Sequence, residues 1–306
     1  MRYDQVPGVP ADVSRLVLGT MGLPTKADAD RILDAFFERG GNTVDTAYVY
    51  EDGESERLLG RWMADRGVRA ETVVITKGAH TPDCRPEMIG PQLTESLERL
   101  QTDVVDLYFL HRDNADVPVA EFVAALNEEK QAGRIRAFGG SNWTLARLQA
   151  ANQSARAQGL DGMVAVSNNF SLAEMGTPPW PGCIASLGPA WREWLRDAGV
   201  SLFPWSSQAQ GFFAPGRLEK AHLDAAFAAS WLSDGNLARL DRAKELARAR
   251  GSTAVAVALA YVLAQPFLTF PLIGPLDPAQ LESSLTALDI DLSAQDAEWL
   301  ATGDLP

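Results

Sequence analysis

The stretch Asn42-Thr43-Val44-Asp45-Thr46-Ala47-Tyr48-Val49-Tyr50, followed by Glu51-Asp52-Gly53-Glu54-Ser55-Glu56, holds a strand, a loop and the start of a helix. Residues 43–45 read as a short buried strand that stops on a carboxylate. Two tyrosines and an acidic turn come next, and a helix begins near Ser55. A short apolar run with a helical pattern after it is the signature of a strand buried on both faces. What the acid and the phenol are for depends on how the other strands end.

The unit repeats. Strand candidates lie at residues 16–18, 43–45, 73–76, 105–110, 135–138, 164–167, 201–203 and 268–272. Helix candidates lie at 27–39, 54–65, 86–100, 119–132, 144–158, 190–198, 236–250 with 254–264, and 278–288. Pro86 and Pro278 suit first-turn positions, and Asp277 suits a cap. About eight βα units in succession imply parallel strands with crossover helices outside. The expected fold is α/β, a (β/α)8 TIM barrel spanning residues 1–306 as one domain. A doubly wound open sheet is the competitor. It would carry a glycine-rich turn after its first strand. Gly19-Thr20-Met21-Gly22-Leu23-Pro24 lacks that spacing. Long loops follow strands 6 (168–189, with Trp180) and 7 (204–236, with Trp205, Phe212, Phe213 and Trp231). Loops of that length are usually functional when they carry large apolar residues.

Bulk properties narrow the function. The chain has 306 residues, 46% hydrophobic, enough for a large core. Its net charge of −13 repels phosphate backbones and anionic membranes, so neither nucleic acid nor membrane is expected as a partner. The first residues are polar, with no apolar signal core, and no run reaches the ~18 apolar residues of a membrane span. Cys84 and Cys183 are far apart and read as free thiols of a reducing compartment, so the cytoplasm is the expected location. No metal-ligand set is expected.

In a barrel of this kind chemistry sits at the C-terminal strand ends. Asp45 with Tyr50 follows the second strand, Lys77 the third, His111 the fourth, and Ser141-Asn142 the fifth. Each has an ordinary reading alone: a helix cap, a solvated lysine, a hydrogen-bonded structural histidine. Together they form a set that perturbs one another's pKa. Lys77 is expected to draw the Tyr50 phenol down from ~10, with Asp45 keeping the lysine charged and in place. Such a set can donate a proton to a developing alkoxide.

Three motifs carry a resemblance. Gly41-Asn42-Thr43-Val44-Asp45-Thr46-Ala47-Tyr48-Val49-Tyr50 with Ser55-Glu56-Arg57-Leu58-Leu59-Gly60 is the first. Asp106-Leu107-Tyr108-Phe109-Leu110-His111-Arg112 is the second. Gly133-Arg134-Ile135-Arg136-Ala137-Phe138-Gly139-Gly140-Ser141-Asn142-Trp143 is the third. Together they resemble the aldo-keto reductases over nearly the whole chain. The resemblance implies a barrel enzyme that reduces carbonyls with a nicotinamide cofactor. It implies Tyr50 as the acid, five places after Asp45, with Tyr48 as the competitor. It further implies Lys77 and Asp45 as the tuning pair, His111 as the substrate orienter, and Ser141 and Asn142 as holders of the nicotinamide amide.

The sequence departs from that family at four places. Glu51 replaces a glycine and either adds an acid near the site or faces solvent. Ser167 replaces a glutamine that contacts the amide. Trp205 stands where an aromatic ring stacks on the nicotinamide, with a core role as the alternative. The segment Gly274-Pro275-Leu276-Asp277-Pro278-Ala279-Gln280-Leu281-Glu282-Ser283-Ser284 has no base to pair with a 2′-phosphate. Arg217 or Lys220 would have to supply one from the loop. NADP(H) stands ahead of NAD(H) on family habit alone. Ser206, Gln208 and Gly211 suit a neutral cradle for a diphosphate. Gln280 and Ser284 match the adenine end, and Gly19, Thr20, Gly274 and Leu276 complete the expected cofactor set.

Two rivals remain: a Schiff-base aldolase or isomerase using Lys77, and a non-catalytic nicotinamide-binding regulatory subunit. The expected partner is a small carbonyl or sugar. Tyr48, Trp143, Trp180 and Phe212 are candidate walls of its mouth, with Arg112, Asp113 and Asn114 adding polar contacts. The oligomeric expectation is a monomer or weak oligomer.

Overall fold

A computed structural model describes residues 1–23 and 25–304, apart from the side chains of Lys220 and His222. The chain begins with an antiparallel hairpin, β1 (Tyr3–Asp4) and β2 (Val13–Ser14). Parallel strands then alternate with helices: β3 (Val17–Gly19), α1 (Lys26–Glu38), β4 (Thr43–Asp45), α2 (Glu54–Arg66), β5 (Val73–Gly78), α3 (Ile89–Leu100), β6 (Val105–Leu110), α4 (Val119–Gln131). The alternation continues through β7 (Ile135–Ser141), α5 (Leu145–Gln158), β8 (Ala165–Ser167), α6 (Pro189–Asp197) and β9 (Ser201–Leu202). After these come α7 (Ala225–Trp231), α8 (Asp234–Arg250), α9 (Ala254–Leu263), β10 (Leu272–Ile273), α10 (Pro278–Leu285) and α11 (Ala294–Thr302).

The sheet runs β10-β3-β4-β5-β6-β7-β8-β9, all parallel. The last gap closes through backbone bonds. Leu202 N donates to Leu268 O at 2.9 Å, Phe270 N to Leu202 O at 2.7 Å, and Leu272 N to Pro204 O at 3.0 Å. The expected (β/α)8 barrel is therefore the observed one, and the open sheet is set aside. The eighth strand candidate, 268–272, serves both neighbours: its first part bonds β9 and its end becomes β10.

Side chains alternate along each strand. Val17, Val73, Ile75, Leu107, Phe109, Ala137 and Ala165 form one cluster inside the ring, with Phe203 and Phe270. Leu18, Val44, Val74, Tyr108, Leu110, Phe138 and Val166 face the helices in another. Gly139 is needed on β7 because a Cβ there would lie 2.2 Å from Ala165 O and 2.7 Å from the Phe109 ring. Val6, Val9 and Val13 of the hairpin segment join the interior cluster and cover the N-terminal end of the ring.

Four elements escaped the sequence reading. The hairpin strands are two residues each, too short for a periodic signal. Helix α7 lies inside the long loop 204–236, capped by Asp224 accepting from Phe227 N at 2.9 Å. Helix α11 carries a capping box, Ser293 with Asp296, that was legible as S-x-x-D. Asp277 does cap α10, accepting from Gln280 N. Among the described residues no single helix is long and apolar enough to cross a membrane, and α9 is a buried helix as expected.

Candidate active site

Period-two alternation builds the site. The inward column of β5 runs Val73, Ile75, Lys77, and that of β6 runs Leu107, Phe109, with His111 next. On β7 it runs Ala137, Gly139, Ser141; on β8, Ala165, Ser167; on β4, Thr43, Asp45. Asp45, Lys77, His111, Ser141 and Ser167 therefore take the top of their columns, above apolar or small residues except on β4, where Thr43 lies below Asp45. Register sets their heights: Asp45 is level with Ile75, Lys77 with Phe109, and Ser141 with Ser167.

Lys77 is the centre. Its Nζ donates to Asp45 Oδ2 at 2.6 Å, to Thr46 O at 2.9 Å and to Tyr50 Oη at 3.3 Å. Lys77 and Asp45 are each 2% exposed, while Tyr50 is half-buried. The Tyr50 and His111 rings meet edge-on with centroids 5.6 Å apart. His80, absent from the sequence candidates, packs edge-on against His111 at 4.8 Å. It lies three residues beyond Lys77, where loop geometry rather than strand parity decides direction.

The electrostatics correct one expectation. Burial pushes the Tyr50 phenol above its ordinary 10.0; Lys77 pulls it down, but not enough, and Asp45 adds to the rise. The expected lowering fails because stripping water from a phenolate outweighs one ammonium already neutralised by Asp45. For Lys77 burial opposes the charge, yet Asp45 and Tyr50 outweigh it and leave its pKa above the ordinary 10.5. Burial raises Asp45, with Lys77 opposing. Burial, then Lys77, Arg112 and His80, hold His111 well below 6.5, so its ring is neutral.

The loop bearing Tyr50 is tied down at several points. Glu56, fully buried on α2, accepts from Thr76 Oγ1 at 2.6 Å and from Arg99 Nη1 at 3.2 Å. Arg99 also donates to Tyr48 O at 3.1 Å. Glu51 and Asp52 both adopt positive φ, 45° and 53°. Glu51 is exposed, but its carboxylate accepts from Gly22 N at 3.0 Å and from Ser55 Oγ. It thus clasps the loop after β3 to the Tyr50 loop. Tyr48, the competitor for the acid role, turns away. Its hydroxyl donates to Glu95 at 3.1 Å, and Arg99 stacks on its ring.

The proposed cofactor residues fall in three groups. At the ends of β7 and β8, Ser141 Oγ donates to Ser167 O at 2.9 Å. Asn142, at φ 58°, donates to Ser141 Oγ and accepts from Ile184 N. Beyond β9, Trp205 packs edge-on against Trp180, with centroids 6.1 Å apart. Ser206, Ala209, Gln210 and Gly211 all take positive φ. Beyond β10, Gln280 is turned back on Asp277 and Leu276, and Ser284 accepts from Gln208 Nε2 at 3.1 Å, joining the two loops. Gly274 opens the segment that holds Leu276, which is 55% exposed. Gly19 and Thr20 lie beside Asp45, with Thr20 N and Oγ1 both donating to its carbonyl.

Several candidates are not free for the mouth. Trp143 and Phe212 are wholly buried core rings, and Asp113 is held by two bonds from Arg147. Asn114 donates to Cys84 O. Of the four aromatic wall candidates Trp180 is 40% exposed, and Tyr48 is half-buried but turned toward α3. Arg217 is bound to Asp224 at 2.9 Å and lies over the Phe227 ring at 3.7 Å. The Lys220 side chain lies outside those described. Both thiols are buried, and burial pushes Cys84 up to about 12, which removes it as a nucleophile.

The aldo/keto reductase family model matches residues 15–301. The chain belongs to this family. Relatives of the reductase include the uncharacterized oxidoreductase YrpG of Bacillus subtilis, 30% identical over 96% of this chain and 93% of that one. Norsolorinic acid reductase B of Dothistroma septosporum is 29% identical over 97% of this chain and 80% of that one. The aryl-alcohol dehydrogenase [NADP(+)] of Phanerodontia chrysosporium is 26% identical over 96% and 83%. A crystal structure of the thermostable aldo-keto reductase Tm1743 with the inhibitor epalrestat superposes with a TM-score of 0.77, at 23% identity and 99% coverage of both chains. The protein is thus an oxidoreductase by family, on the barrel expected from its sequence.

Proposed function

We propose that this reductase transfers a hydride between a nicotinamide cofactor and a carbonyl or alcohol, with Tyr50 as its general acid and base. The observation that carries the reading is one buried ammonium, Lys77 Nζ, placed 2.6 Å from Asp45 and 3.3 Å from the Tyr50 hydroxyl. When bound, the nicotinamide supplies the hydride that reaches the carbonyl carbon. Tyr50 Oη delivers the proton to the carbonyl oxygen. Its raised pKa keeps it protonated through neutral pH. Lys77 then faces the phenolate left behind, and Asp45 keeps that lysine charged and aimed. Neutral His111 orients the oxygen through a ring nitrogen.

The cofactor residues fit such a group. Ser167 Oγ, Asn168 Oδ1, Asn169 Oδ1 and Trp205 Nε1 are buried without hydrogen-bond partners. Orphaned polar atoms of this kind are expensive unless something completes them. A nicotinamide amide held by Ser141, Asn142 and Ser167 would do so, with Trp205 as its ring partner. The positive-φ loop bearing Ser206, Gln208 and Gly211 suits the diphosphate, and Gly274, Leu276, Gln280 and Ser284 suit the adenine end. NADP(H) is placed ahead of NAD(H). Glu282, on α10 at that end, is paired with Arg39 at 2.5 Å.

A Schiff-base role for Lys77 needs a neutral amine, and the ion pair with Asp45 works against it. The test is a fluorescence titration with NADPH and NADH, alongside aldehyde turnover by Tyr50→Phe. Nucleotide binding should survive that substitution while turnover falls about 10²- to 10⁴-fold. Full turnover in Tyr50→Phe would remove the acid assignment. Failure to bind either nucleotide would remove the reductase reading and favour the Schiff base.

A further inference from the structure

We propose that the substrate carries a carboxylate and that Arg112 receives it. This rests on the reductase reading and names the substrate class for the same site.

Arg112 directly follows His111 at the end of β6. Among the described residues it is the only buried arginine, at 9% exposure. Its guanidinium makes two bonds: Nη1 to His111 O at 2.9 Å, and Nη2 to the weak acceptor Cys183 Sγ at 3.7 Å. Nε has no partner, and among the described residues no carboxylate lies within 4.0 Å. Acids are not scarce, since the chain holds 40 Asp and Glu against 27 Lys and Arg. Lys77 is paired with Asp45, and Arg147 with Asp113, the residue after Arg112. A buried cation without a counter-charge is costly and calls for a ligand to complete it.

Position selects the ligand. Arg112 bonds the His111 carbonyl on one side and Cys183 on the other, and Ile184, next to Cys183, donates to Asn142 Oδ1 at 3.2 Å, so the guanidinium lies on the rim between His111 and the end of β7. The positive-φ loop suited to a diphosphate follows β9, three strands further round the ring. Arg112 therefore serves the substrate side. Cys183, its other contact, lies on the same loop as the half-exposed Trp180. A planar fork matches a carboxylate through two parallel bonds. One guanidinium, with Lys77 and Arg147 already committed to carboxylates, suits a monoanion better than a phosphate ester.

The test compares kcat/KM for 2-, 3- and 4-carboxybenzaldehyde, each against its uncharged carboxamide, using whichever nucleotide binds. At least one acid should exceed its amide about tenfold in the wild type. In Arg112→Met that ratio should fall to near one, with Arg112→Lys between. Damage to folding or to His111 would lower acid and amide together and leave the ratio intact. A wild-type ratio of one or less for all three pairs, or a ratio that survives Arg112→Met, overturns the proposal. Benzoate and benzamide binding, read by tryptophan fluorescence, gives a second arm. If no aldehyde turns over, the reductase reading fails; Arg112-dependent benzoate binding would still support the anion site, and its absence would sink that too.

Discussion

At the scale of single residues, burial decides more than proximity. Lys77 and Tyr50 are neighbours, yet the phenol rises because water is gone. His111 shows the same effect with opposite sign. Its folded pKa lies below the 6.5 of an exposed histidine, so in acid the unfolded chain takes up a proton that the folded chain refuses. Stability from this group is complete above pH 6.5. It is lost as pH falls, by about 1.4 kcal/mol per unit until the folded pKa is reached. Urea unfolding between pH 5 and 8 checks this. His111→Asn should flatten the acid limb relative to wild type, and an identical slope in both would refute the assignment.

At the scale of elements, strand parity made the site legible. Asp45, Lys77, His111 and Ser141 were named from strand ends and Ser167 from the resemblance, and the observed inward columns place all five at the top. The sequence could not reveal what loops do. Glu51 was left between solvent and site, and its carboxylate clasps two loops. Tyr48 and Phe212 look like mouth residues by composition, but helix α3 and the core hold them. Strand packing is also where a single methyl matters. Gly139→Ala would drive a Cβ into Ala165 O and the Phe109 ring, below Ser141. The expected loss is about 3 kcal/mol, the upper end for overpacking. An unchanged urea midpoint would mean that β6, β7 and β8 do not share the described register.

At the scale of the whole molecule, the hairpin makes the barrel one-ended. Val6 and Val9 fill the N-terminal opening against the same cluster as Ile75 and Phe109. Truncating both to Ala removes four methyl-sized groups, about 3 kcal/mol at ~0.8 per group. Nucleotide affinity, which the proposed site sets at the opposite end, should not change. A matching loss of affinity would mean that the two ends are coupled through the interior column.

The closure of the ring also has a consequence in time. β3 leaves the ribosome long before β10, and Val17 must find Leu272. Until then both borders of a seven-strand sheet stand open, with unpaired amides along each. Synthesis at ~5–20 residues per second leaves that interval measured in many seconds. The growing chain is therefore most exposed to sticking just before β10 emerges, and chaperone demand during expression should peak between the synthesis of β9 and that of β10.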